Sequence, residues 1–255
     1  KTIWVSPTGS DELNDGISAP LATIQRGIHY ASDGDTVELM PGTYTGGADC
    51  TTMDNADGFY GATKRHCNFN SDFMGKKITV DGHGRATIDC EGKWSTFPPR
   101  RGFIFANGET HETVLRGVKI VGCGSSVRPE NVYPFFDFTR HGGGLVLHNS
   151  LGVVLTDLVV SNGRGYGATG AFLHGAVAMF LNVSFMDCAS SYGAIRLEGG
   201  SKLIWHYGAI KESKSLGWNG GALSSVYGPN SLTMENLLIL DNSVQVVLLA
   251  TQGLW

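Results

Sequence analysis

The stretch GGALSSVYGPNSLTMENLLILDNS, residues 220–243, opens on two glycines, carries two apolar runs and closes on Asp-Asn-Ser. The same order stands three more times in the chain before it: GGGLVLHNSLGVVLTDLVVSN at 142–162, GAFLHGAVAMFLNVSFMDC at 170–188 and YGAIRLEGGSKLIWHYGAIKES at 192–213. Each unit starts with Gly or Ala before an aliphatic or aromatic residue and ends on an apolar run closed by Asn162, Cys188, Ser213 or Asn242. A spacing of roughly 26 residues, with insertions and without a helical pattern, is that of a solenoid.

Within each unit the apolar residues alternate. Leu145 and Leu147 are set against Val146 and His148, and Leu181, Val183 and Phe185 against Asn182, Ser184 and Met186. Alternation predicts strands with one buried face. One coil buries only a handful of aliphatics, at about 1.5–3 kcal/mol each. That is too little against ~1–2 kcal/mol for every residue ordered, so the units must stack to share a core. Upstream the grammar continues less regularly in KKITVDGHGRATIDCEG (76–92) and RGFIFANGETHETVLRGVKIVGCGS (101–125). KWSTFPPR (93–100) and SVRPENVYPFFDFTRHG (126–142) read as projecting loops, the places where such folds carry specificity.

Composition agrees with this. Glycine supplies 36 of 255 residues, twice the usual ~7%, with no Gly-X-Y period, which fits many tight turns. Net charge is −4 and no lysine or arginine block occurs, so nucleic acid and anionic membrane are not expected partners. No apolar run is long enough to span a bilayer as a helix. At the N-terminus, Leu21, Ile24, Ile28 and Ala31 follow helical spacing with Ser18 or Thr23 as N-cap. A short amphipathic helix there would cover the first coil. The expected layout is one β-helix domain: 1–46 as cap and first strands, 47–75 as a disulfide-closed loop, and 76–255 as coils with an insertion near 126–141. Leu248, Leu249, Leu254 and Trp255 begin a new coil, so further coils or another copy, in an oligomer or filament, are expected above them.

The five cysteines fit no zinc spacing. Cys50 and Cys67 bracket a polar stretch and read as one disulfide; Cys90 and Cys123 end β-like runs and read as a second. Cys188 is left over, buried and reduced or bonded to another chain, and five buried thiols are the alternative. Paired cysteines imply an oxidising, extracellular or cell-surface setting.

ATIQRGIHYASDGDTVELMPGTYTG (22–46) resembles the start of secreted right-handed parallel β-helix proteins of the pectate-lyase-like superfamily, and ITVDGHGRATIDC (78–90) is similar to their first full coil. The Gly-Gly-Ala-Leu units resemble repeats of polymorphic outer-membrane (Pmp-type) surface proteins. The resemblance covers nearly the whole chain. It implies an all-β, right-handed parallel β-helix with a short N-terminal capping helix. For function it spans lyases, hydrolases, esterases, epimerases and non-catalytic adhesins.

Aligning the units puts His148, His174 and Glu198 at one outward position on successive coils, with Arg196 two residues before Glu198. Such a ladder suits proton abstraction next to a uronate carboxylate that Arg196 neutralises, or could hold a divalent metal. It competes with a plainer reading, solvated polar residues near strand ends. Asp137, Arg140 and His141 form a second cluster for glycan contact or a loop-anchoring ion pair, and Trp94 is the best exposed sugar-stacking candidate. Asn182-Val-Ser184 is a glycosylation sequon. Asp157, Asp187 and Asp241 recur as turn residues, and Asn162 and Asn242 as rungs of a turn ladder.

The motifs of pectin hydrolases and alginate epimerases are missing, and no lysine pairs with an arginine one coil away. The first expectation is therefore a non-catalytic structural or adhesive module of a surface protein. The alternative is a polysaccharide lyase on an acidic glycan, built on His148, His174, Arg196 and Glu198. No cofactor or metal set is assigned, and calcium would enter only with the lyase reading.

Overall fold

The computed structural model describes residues 1–46, 67–91, 100–124, 143–165, 167–215 and 220–244. It is built from parallel strands and one helix. A nine-stranded sheet runs in the order β1 (Thr2–Val5), β2 (Thr36–Leu39), β5 (Thr79–Asp89), β7 (Val114–Val121), β9 (Leu151–Ser161), β11 (Val177–Met186), β14 (Lys202–Lys211) and β17 (Ser231–Leu240). The ninth strand, β3 (Gly42–Tyr44), pairs with the second half of β5. A six-stranded sheet stacks β4 (Ser71–Asp72), β6 (Phe103–Phe105), β8 (Leu145–His148), β10 (Ala171–His174), β13 (Ile195–Glu198) and β16 (Leu223–Ser225). A third sheet holds the two-residue strands β12 (Ala189–Ser190), β15 (Lys214–Ser215) and β18 (Ser243–Val244). Each later coil is thus a short strand, a long strand and a two-residue strand, and every partner lies one repeat away. This is an all-β parallel β-helix.

The long strands do not keep a single alternation. Asp157, Asn182, Tyr207 and Asn236 stand in the middle of them with φ of 55°, 54°, 60° and 56°. One left-handed residue breaks the two-residue period, so the inward set in β11 is Ala178 and Phe180 before the corner and Val183 and Phe185 after it. The expected inward placement of Leu181 is corrected by this phase change: Phe180 is buried in its stead. Asp and Asn suit such corners because their short polar side chains tolerate the left-handed region. Asp157, Asp187, Asp241 and Asn162 all occupy it, as turn residues should. Asn242 fills its ladder role differently, accepting from the Ser213 N–H at 2.9 Å and donating to the Ile210 carbonyl at 2.8 Å.

Inside the coils the aliphatic and aromatic rungs form one continuous core. Phe73 stacks on Phe105 with ring centres 4.6 Å apart, and Trp205 meets Phe180 and Phe185 edge-on. Cys90 and Cys123 form a disulfide that joins the ends of β5 and β7. Cys67 is also disulfide-bonded, and Cys50, its expected partner, lies outside the described residues. Cys188 is a buried free thiol, pushed up to about 11 by burial. Leu248, Leu249, Leu254 and Trp255 lie outside the described residues.

Helix α1 (Ile24–Tyr30) lies against the first coils. Gly27 lets it approach: a Cβ there would sit 2.7 Å from Val5 and 2.9 Å from Val37. Thr23 is the N-cap residue, but its hydroxyl donates to Asp11 and makes no cap bond. Asn68 Oδ1 and the Cys67 carbonyl accept the Ile24 and Gln25 N–H groups in its place. At the other end Lys76 Nζ donates to the carbonyls of Ile28, His29 and Ala31 at 2.7, 2.8 and 2.7 Å. A cation there meets both the orphan carbonyls and the negative end of the helix. Lys76→Met keeps the stem and loses these bonds, and is expected to cost about 2 kcal/mol in urea unfolding. An unchanged midpoint would mean that water serves the carbonyls equally well.

Candidate functional site

The register fixes the ladder read from the repeats. His174 pairs with His148 on one side and Glu198 on the other, and Arg196 shares its row with Phe172 and Val146. The side chains sit on the outer face of the six-stranded sheet.

This face is covered, unlike the solvated strand ends expected from alternation. Val146 and Phe172 are fully buried on it and form a small apolar cluster with Ala168, separate from the main core. Residue exposure is 9% for His148, 4% for Arg196 and 5% for Glu198.

The polar groups are closely organised. The His148 and His174 rings stack with centroids 5.2 Å apart and planes 18° from parallel. Asn149 Nδ2 lies 2.9 Å from His148 Nε2, and His174 Nδ1 lies 3.4 Å from Glu198 Oε1. Arg196 donates to Glu198 Oε2 from Nε at 3.0 Å and Nη2 at 2.8 Å. Its guanidinium lies 4.1 Å over the Tyr192 ring and 5.8 Å from that of Tyr227. Arg196 Nη1 is buried with no hydrogen-bond partner among the described residues. Burial, and next the neighbouring His174, push the His148 imidazole down to about 4, so it stays neutral near pH 7.

A neutral imidazole can take a proton, and a guanidinium with a spare donor can hold an anion. Arg196 already faces one carboxylate, Glu198, and Nη1 is the nitrogen left for a second. Asp137, Arg140, His141 and Trp94 lie outside the described residues. Asn182 is exposed, and its Nδ2 donates to Asp157 Oδ1 at 2.8 Å.

Two groupings were not singled out in the sequence. Glu38, Asp81 and His83, with Arg116, meet on the outer face of the nine-stranded sheet. Asp72 and Glu109 sit buried near each other at the corner after β4, joined through Asn107. Strand alternation alone would have turned Glu38 and Asp81 outward. Their adjacency needs the register, because far-apart segments become neighbours only when stacked.

No protein-family description matches the chain. A 43-residue segment, 17% of this chain and 10% of the relative, is 49% identical to pectate lyase PEL9 of Emericella nidulans. Among solved structures, a rhamnogalacturonan lyase superposes with a TM-score of 0.45 and 14% identity. That match covers 97% of this chain and 65% of the lyase chain, so the chain spans about two thirds of one relative and a tenth of the other. Pmp-type surface proteins are not among these similarities. One segment of this parallel β-helix chain is thus similar to a pectate lyase.

Proposed function

We propose that the protein is a secreted polysaccharide lyase that cleaves an acidic glycan by β-elimination on the outer face of the six-stranded sheet. The observation that carries this reading is the buried Arg196, whose Nη1 has a donor to spare on a face shared with the stacked His148 and His174 rings. The segment similar to a pectate lyase supports the enzyme over the structural module. The Cys90–Cys123 disulfide supports an oxidising compartment.

In the reaction, Arg196 Nη1 binds the uronate carboxylate and makes the adjacent C–H more acidic. His148, held neutral by burial, takes that proton. The electron pair forms the C4–C5 double bond as the C4–O bond breaks, and the departing oxygen takes a proton from water or the imidazolium. Calcium, the metal of the lyase expectation, requires several hard oxygen ligands. Beside the histidines the described residues offer Glu198, whose carboxylate is already engaged by Arg196 and His174, so they do not fit it. No step is routed through calcium.

The test is incubation with polygalacturonate, rhamnogalacturonan and alginate, followed by ultraviolet detection of unsaturated products. His148→Ala is expected to lower the rate about a hundredfold. Wild-type protein that forms no unsaturated product from any uronate polymer would sink the reading.

A further inference from the structure

We infer that Glu38, Asp81 and His83 form a binding site for a divalent cation of the zinc type, on a face separate from the proposed lyase site. Their donor atoms all lie within 4.8 Å of one another. Glu38 and Asp81 are direct register partners on β2 and β5, so two carboxylates stand one rung apart on the same side of the sheet. Like charges so placed repel, and water screens them poorly here, since the side chains are only 15% and 3% exposed. Arg116, on the next rung, donates from Nε to Asp81 Oδ2 at 2.6 Å and offsets one charge. The second negative charge is the one a cation would meet.

The third donor reaches the pair through an insertion. In β5 four residues, Gly82 to Arg85, stand between Asp81 and Ala86, where the paired strand β7 has Gly117 alone between Arg116 and Val118. The insertion rests on that glycine: a Cβ on Gly117 would come within 2.8 Å of the His83 and Gly84 nitrogens. Asp81 Oδ1 accepts the His83 N–H at 2.9 Å and turns the chain back. The imidazole then lies with Nε2 against Glu38 and Nδ1 3.6 Å from Asp81. His83 itself is 46% exposed, which leaves water room to complete the coordination.

The donor set selects the metal. One imidazole nitrogen with two carboxylates suits zinc or a neighbouring transition ion, whereas calcium takes oxygen alone. Arg116 holds the Asp81 carboxylate in place, as outer hydrogen-bond partners of metal ligands do. His206 and Glu235 provide an internal control. They make a 3.0 Å pair on the same row of the sheet but, among the described residues, have no second carboxylate beside them.

The experiment is calorimetric titration of chelator-treated protein with zinc chloride, repeated with calcium chloride. Expected is one zinc site, weakened at least tenfold by His83→Gln and by Glu38→Gln and unchanged by His206→Gln. Zinc should also raise the melting temperature of the wild type but not of His83→Gln, whose exposed position leaves the metal-free fold intact. No zinc binding, affinity that survives His83→Gln, or calcium bound as tightly as zinc would each overturn the assignment.

Discussion

Replacing Arg196 with Met is expected to lower the stability of the protein by about 3–5 kcal/mol, the usual cost of leaving a buried carboxylate without its cation. Glu198 has nowhere to turn. It is buried, it takes both Arg196 bonds on Oε2, and among the described residues its other oxygen has only a long contact to His174. The double variant Arg196→Met, Glu198→Gln removes the stranded charge and should recover most of the loss. Urea unfolding of these two, the wild type and the single Glu198→Gln variant closes the cycle and gives the coupling directly. Arg196→Lys is expected to behave as a loss as well, because a single ammonium cannot reproduce the two parallel donors or the packing over Tyr192. A loss below about 1 kcal/mol for Arg196→Met would place this pair with exposed ion pairs and remove the basis for a dry anion site.

The stacking of this ladder was legible in the sequence because a parallel coil repeats its register. Once the Gly-Ala starts were aligned, His148, His174 and Glu198 could only fall on one another. The covering of that face was not deduced, yet a signal existed. LVLH and AFLH place Val146 and Phe172 at outward positions, and a strand apolar on both sides is one buried on both sides. The inward role given to Leu181 failed for a different reason. A two-residue period carries no mark of where one left-handed residue resets it, and Asn182 read equally well as an ordinary outward residue. The Glu38–Asp81–His83 cluster is hidden in the sequence for a third reason. DGHG reads as a turn between two strands, whereas β5 runs through it as a four-residue bulge. Short-range pattern thus located the strands, and only the stacking showed which distant side chains they bring together.

At the corner after β4, Asp72→Asn is expected to stabilise the protein by up to about 3 kcal/mol at pH 7 and to change it little at pH 4. Burial, opposed by the Met74 N–H and reinforced by Glu109, raises the Asp72 carboxyl from 3.8 to about 6. One pKa unit corresponds to about 1.4 kcal/mol. A raised carboxyl means that the folded state holds the proton more tightly than the unfolded chain does. The wild type is therefore penalised progressively as pH rises from about 4 to 6, and the full penalty remains at pH 7. Asn cannot ionise, keeps an oxygen for the Met74 N–H, and needs only a turn of the Asn107 amide to stay bonded.

His148 acts in the opposite sense over nearly the same window. Its depressed value, about 4 against 6.5, makes the folded state lose stability as pH falls. In the wild type the two slopes offset each other, so stability should vary little between pH 4 and 6.5. Removing Asp72 should expose the histidine slope, and the Asn variant should weaken steadily on acidification across that range. Urea midpoints of both proteins at pH 4, 5, 6 and 7 decide it. A constant difference between them at every pH would mean that Asp72 titrates as an ordinary carboxylate and that its surroundings are wet.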